Sequence, residues 1–81
     1  MTIGAKIAAC RKRAGMSQER LANELNISRQ AVSRWETGEA VPDTEKVIQL
    51  SRIFHVTTDY LLLDIDEAPQ SAASAENNRE T

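Results

Sequence analysis

The stretch Ile27-Ser28-Arg29-Gln30-Ala31-Val32-Ser33-Arg34-Trp35-Glu36-Thr37-Gly38 carries a start signal, an amphipathic pattern and a stop signal for one short helix. Ser28 has a hydroxyl that can accept from the free amides of a first turn, so a helix is expected over about residues 29–36. Val32 and Trp35, three apart, share one side of it, with Ala31 close beside them. Gly38 can take the left-handed backbone that ends a helix. With Val32 and Trp35 turned inward, Arg29, Gln30, Ser33 and Arg34 are left on the outer surface or its rim. Arginine can donate two hydrogen bonds to guanine O6 and N7, and glutamine can pair with adenine N6 and N7, so this surface has the chemistry to read bases in a major groove. Ser33 is small enough for close approach to a base edge or a phosphate. Long polar residues are equally common on any solvated helix, and periodicity alone leaves both readings open.

Working toward the N-terminus, Ser17 can cap a helix over about residues 18–25, with Glu19 in its positively polarised first turn and Leu21, Ala22 and Leu25 on its apolar side. Asn26 tolerates left-handed geometry and can form the turn, with Ile27 as an apolar plug after it. A first helix is expected over about residues 2–14, where Ile3, Ile7, Cys10 and Ala14 recur at three- and four-residue spacing and Gly15 provides an exit through positive φ. Toward the C-terminus, Pro42 interrupts the chain and Asp43 or Thr44 can cap a fourth helix carrying Val47, Leu50, Ser51 and Phe54, with Ile48 and Ile53 as further apolar candidates. Thr57 can cap a last short helix containing Tyr60, Leu61 and Leu62. The expected fold is all-α, a compact bundle of five short helices around a helix-turn-helix, with Ile7, Leu21, Ala22, Leu25, Ile27, Val32, Trp35, Leu50 and Leu61 in its core.

Eighty-one residues leave room for one core only, and a 41% hydrophobic content suffices for a modest one. Charge is unevenly placed. Nine bases against seven acids leave residues 1–63 at +2, whereas one base against five acids leaves residues 64–81 at −4, in keeping with the total of −2. A basic face on the body is therefore compatible with an acidic chain. After Asp66 the composition turns to Ala, Ser, Glu, Asn and Gln, too poor in large apolar groups to offset the entropy of ordering. Residues 1–66 are expected to form the domain and 67–81 an acidic, disordered tail.

The single cysteine, Cys10, excludes an intrachain disulfide and a cysteine-based metal cluster. On the apolar stripe of the first helix it reads as a core thiol rather than a nucleophile. His55, between Phe54 and Val56, reads as a helix-end or packing residue. No glycine-rich phosphate loop is present, and no carboxylate pair is singled out by spacing. No catalytic residue, metal site or cofactor is expected, and the protein is read as a non-enzyme. No apolar run approaches the length of a membrane span, and the N-terminus has no signal-peptide pattern, which places the chain in the cytoplasm without membrane contact.

Lys12-Arg13-Ala14-Gly15-Met16-Ser17-Gln18-Glu19-Arg20-Leu21-Ala22, followed by the stretch 27–38 and by Val41-Pro42-Asp43, resembles the XRE-type helix-turn-helix family, the phage repressor and Cro-like class. The resemblance covers about residues 3–63. It implies five helices, a third helix in the major groove of operator DNA, and action as a transcriptional regulator of the repressor kind. It also implies a homodimer on a palindromic double-stranded operator, formed either in solution or only on DNA. Carried over by position, it assigns base contacts to Arg29, Gln30 and Arg34, with Ser33 between them, and backbone contacts to Gln18 and Ser28. Gln18 is further expected to help orient Gln30. The resemblance also pairs Arg11 with Glu36; the physical reason is that Glu36 sits at a negatively polarised helix end and a guanidinium can bind it bidentately.

Asn26 stands where glycine is frequent in the family, and Glu39 where a basic residue often approaches phosphate, so weaker attraction is expected from that loop. The rival reading is an interaction module on the same fold, such as an antitoxin or adaptor. Leu61, Leu62, Leu63 and Ile65 cannot all face one small core, so part of that cluster is expected at a dimer or partner surface.

Overall fold

The computed structural model describes residues 2–63, which form five helices: α1 (Ile3–Arg13), α2 (Gln18–Leu25), α3 (Arg29–Thr37), α4 (Thr44–Phe54) and α5 (Thr58–Leu62). No strand occurs among the described residues. The proposed tail, and Ile65 with it, lies outside them.

Each helix begins on a side chain that takes an otherwise orphaned amide. Thr2, Ser17, Ser28, Asp43 and Thr57 accept from the N–H of the residue three positions on, at 2.9–3.2 Å. The first four helices also end alike. Gly15, Asn26, Gly38 and His55 adopt φ of +73°, +60°, +89° and +58°, and the next amide reaches back five residues, Met16 to Arg11, Ile27 to Ala22, Glu39 to Arg34 and Val56 to Ser51. This closure satisfies the last carbonyls and turns the chain sharply, which lets short helices pack around one centre. His55 is thus the left-handed C-terminal residue of α4.

The core joins Ile7 and Cys10 of α1, Leu21, Ala22 and Leu25 of α2, Val32 and Trp35 of α3, Val47 and Leu50 of α4, and Tyr60 and Leu61 of α5, with Met16 between α1 and α2. Three expectations need correction. Ala14 is exposed because α1 stops at Arg13 and Ala14 only caps it. Ile27 is half-buried rather than central: it follows the left-handed Asn26 and covers the end of α2 from the rim. Ile48 is exposed, since Val47 and Leu50 already fill the inward arc of α4; the exposure of Leu62 and Leu63 beside buried Leu61 agrees with the division expected of that cluster.

Two residues of α1 fix the packing. Lys6 is fully buried, and its ammonium donates to the carbonyl oxygens of Tyr60, at 2.7 Å, and Leu63, while lying 4.8 Å from the Tyr60 ring centroid. A cation at the C-terminal end of α5 meets the carbonyls that five residues of helix leave open. Gly4 lies directly against α3: a Cβ there would stand 2.0 Å from the carbonyl oxygen of Trp35. Gly4→Ala must therefore push α1 off α3. The expected cost is about 3 kcal/mol, at the upper end for overpacking, read as a lowered urea midpoint.

Candidate nucleic-acid interface

The outward face of α3 follows from what its inward face must hold. At about 100° of rotation per residue, Val32 and Trp35 commit one side of the helix, and Arg29, Ser33, Gln30 and Arg34 fall on an opposing arc of about 140°. Trp35 is 6% and Val32 0% exposed. Arg29, Gln30 and Arg34 are exposed and Ser33 is half-buried. Two guanidinium groups and one amide thus project from one side of a helix whose position is set by the core. Thr37 lies on the same arc one turn after Ser33 and was not singled out in the sequence; its hydroxyl donates to the Arg34 carbonyl at 3.1 Å.

Ser28 stands at the N-terminus of α3, exposed, with its hydroxyl oxygen accepting from Ala31 at 3.2 Å. The oxygen is used in capping, and its O–H remains a donor. Gln18 opens α2, where first-turn amides have no intrahelical partner. Its side chain departs from expectation. No hydrogen bond joins it to Gln30 among the described residues; Nε2 donates instead to Glu36 Oε1 at 3.0 Å. An ionised carboxylate is a stronger acceptor than a neutral amide, which gives the physical reason for that choice.

Glu36 is the centre of a clasp between three helices. Arg11 of α1 donates from Nε to Glu36 Oε2 at 2.7 Å and from Nη2 to Oε1 at 3.1 Å. Arg11 Nη1 also donates to the Met16 carbonyl at 2.8 Å. Both side chains are about nine-tenths buried, at 11% and 10% exposure. By contrast, the exposed Arg20–Glu24 pair at 3.8 Å on α2 contributes little.

Burial opposes ionisation of Glu36, yet the hydrogen bonds from Arg11 and Gln18 and the charges of Arg11 and Lys12 outweigh it. They hold the carboxyl below its ordinary value of 4.5. The hydrogen bond to Glu36 raises the Arg11 guanidinium further, against the effect of its burial. A carboxyl depressed in the folded state stabilises the fold above its unfolded value, and that contribution disappears as pH falls through the lower folded value. Urea titrations from about pH 7 to pH 3 are therefore expected to show stability falling below 4.5. Glu36→Gln should be less stable by about 3 kcal/mol at neutral pH, because Arg11 loses its counter-charge, and should show a flatter acid limb.

Cys10 is buried, and burial pushes its thiol up, with Arg13 only partly opposing, so it is unsuited to act as a nucleophile. Among the described residues no group of three or more His, Cys, Asp or Glu side chains is placed to hold a metal ion, and no helix is long and apolar enough to cross a membrane.

Comparison with known proteins finds relatives over most of the chain. A helix-turn-helix family model matches residues 7–61. The chain is 40% identical over 70 residues to the SPbeta prophage-derived uncharacterized HTH-type transcriptional regulator YonR of Bacillus subtilis (strain 168), a match spanning 79% of this chain and 65% of that protein. It is 37% identical over 62 residues to the HTH-type transcriptional regulator ImmR of the same organism, spanning 76% of this chain and 49% of that one. Among solved structures, the P22 c2 repressor protein in complex with synthetic operator 9T superposes with a TM-score of 0.75 at 32% identity, covering 80% of this chain and 98% of that one. The matched region thus spans between about half and two thirds of the two curated relatives, and nearly all of the repressor chain in the complex.

Proposed function

The chain belongs to the XRE-type helix-turn-helix family, and from that membership and the outward face of α3 we propose that it binds double-stranded DNA sequence-specifically and regulates transcription as a repressor. The observation that carries this reading is the joint exposure of Arg29, Gln30 and Arg34 on one arc of a helix held in place by Trp35. In the major groove the two guanidinium groups donate to guanine and the amide pairs with adenine, while Ser33 approaches from the middle of the arc. Gln18 and Ser28, at the starts of α2 and α3, hold the backbone phosphates and set the depth of α3. The fold likeness to a repressor solved on its operator supports the same docking.

The chain acts in the cytoplasm as a homodimer on a palindromic operator. Leu62 and Leu63 are 60% and 53% exposed at the end of α5 and supply apolar surface for a second copy. Selection of bound duplexes from a random pool tests both parts together. The expected product is one enriched motif in two inverted halves, spaced by about one helical turn or a multiple of it. Recovery of no enriched motif would overturn the DNA reading and return the fold to an interaction module; a single asymmetric half would overturn the dimer.

A further inference from the structure

We infer that Glu36, besides pairing with Arg11, is a positioning residue for DNA: it holds the Gln18 side chain in the orientation that meets a phosphate. The inference rests on the DNA reading above and extends it to a side chain that touches no nucleic acid. A carboxylate only accepts hydrogen bonds, so Gln18 must turn its NH₂ group toward Glu36 Oε1, 3.0 Å away. One N–H is consumed there, and the other stays free at the first turn of α2, beside main-chain amides that have no partner within the helix. The carboxylate is itself hydrogen-bonded at both oxygens. Arg11 grips both of its oxygens, and Arg11 is tied to the carbonyl of Met16, two residues before Gln18. The start of α2 and the end of α3 are thereby referred to one rigid anchor, and Gln18 is ordered before DNA arrives. Ordering a glutamine side chain in advance is worth about tenfold in affinity, because its rotamer freedom is not lost on binding.

The sign of one substitution separates this role from simple electrostatics. Removing a negative charge near a polyanion should tighten binding, whereas freeing Gln18 should weaken it. Affinity is measured by fluorescence anisotropy of the full chain on a labelled duplex bearing the site recovered by selection. It is measured at low temperature, with the folded fraction of each variant set by circular dichroism. Gln18→Ala is expected to weaken binding about tenfold. Glu36→Gln is expected to weaken it about three- to tenfold, despite the lost charge. In the Gln18→Ala background, Glu36→Gln should produce no further weakening. The separation between the two Gln18 side-chain amide proton resonances is expected to be smaller in Glu36→Gln than in the wild type.

Folded Glu36→Gln binding as tightly as wild type, or losses that multiply in the double variant, would overturn the positioning role while leaving the DNA reading intact. A wild-type chain that binds no duplex would overturn both.

Discussion

Trp35→Ala is expected to lower stability by about 4 kcal/mol and to leave the chain largely unfolded under mild denaturant. Trp35 is the largest apolar side chain of α3, 6% exposed, and it packs in a core drawn from all five helices. Its removal leaves a cavity that neighbours cannot fill: Gly4 already lies against the Trp35 main chain, and Val32 and Ile7 are fully buried in place. Small domains hold only about 5–15 kcal/mol in total, so such a loss uses up most of the margin. Urea unfolding followed by helix circular dichroism measures it. A loss below about 1 kcal/mol would show that the core does not depend on this side chain as described. DNA binding should fail in the same variant for a different reason, because α3 no longer has a fixed direction.

The opposite profile is expected when Arg29, Gln30 and Arg34 are all replaced by alanine. These side chains are exposed, so helix content and urea midpoint should change little, within about 0.5 kcal/mol per site. Each base contact is worth about 1–3 kcal/mol, so affinity for the selected duplex should fall by about three orders of magnitude or more. Affinity for a scrambled duplex should fall less, through the loss of two cations. The ratio of selected to scrambled binding is the decisive quantity, and it should approach one. Selectivity that survives the triple replacement would show that these residues do not read the site. Together the two variants separate the residues that build α3 from those that use it.

Much of this arrangement was legible in the chain itself because local signals and the core pattern agree. Ser17 and Ser28 mark helix starts, Asn26 and Gly38 mark ends, and Val32 with Trp35 mark the inward face, each through chemistry confined to a few neighbouring residues. The pairing of Arg11 with Glu36 also emerged, from family resemblance supported by the electrostatics of a helix end. What escaped depends on contacts distant in the chain. Nothing near Lys6 in the chain signals its burial, yet the open end of α5, more than fifty residues on, draws it into the core. Gly4 reads as ordinary until α3 is laid across it. The hydrogen bond from Gln18 to Glu36 requires knowing that α3 carries a carboxylate to the start of α2, a fact of packing with no sequence periodicity behind it. Ala14, Ile27 and Ile48 differ from expectation for a related reason: apolar spacing marks candidates for burial, but a small core has room for only some of them.

Groove-specific atom deletion gives the most direct test of the central claim that α3 reads bases from the major groove. In the selected duplex, each guanine is replaced in turn by 7-deazaguanine, which lacks the major-groove N7 acceptor, or by inosine, which lacks the minor-groove amine. Loss of N7 at the guanines facing Arg29 or Arg34 is expected to weaken wild-type binding by about tenfold, with no such penalty in the matching alanine variant, and inosine should be tolerated. Indifference to every N7 deletion, with a penalty for loss of the minor-groove amine, would contradict the account.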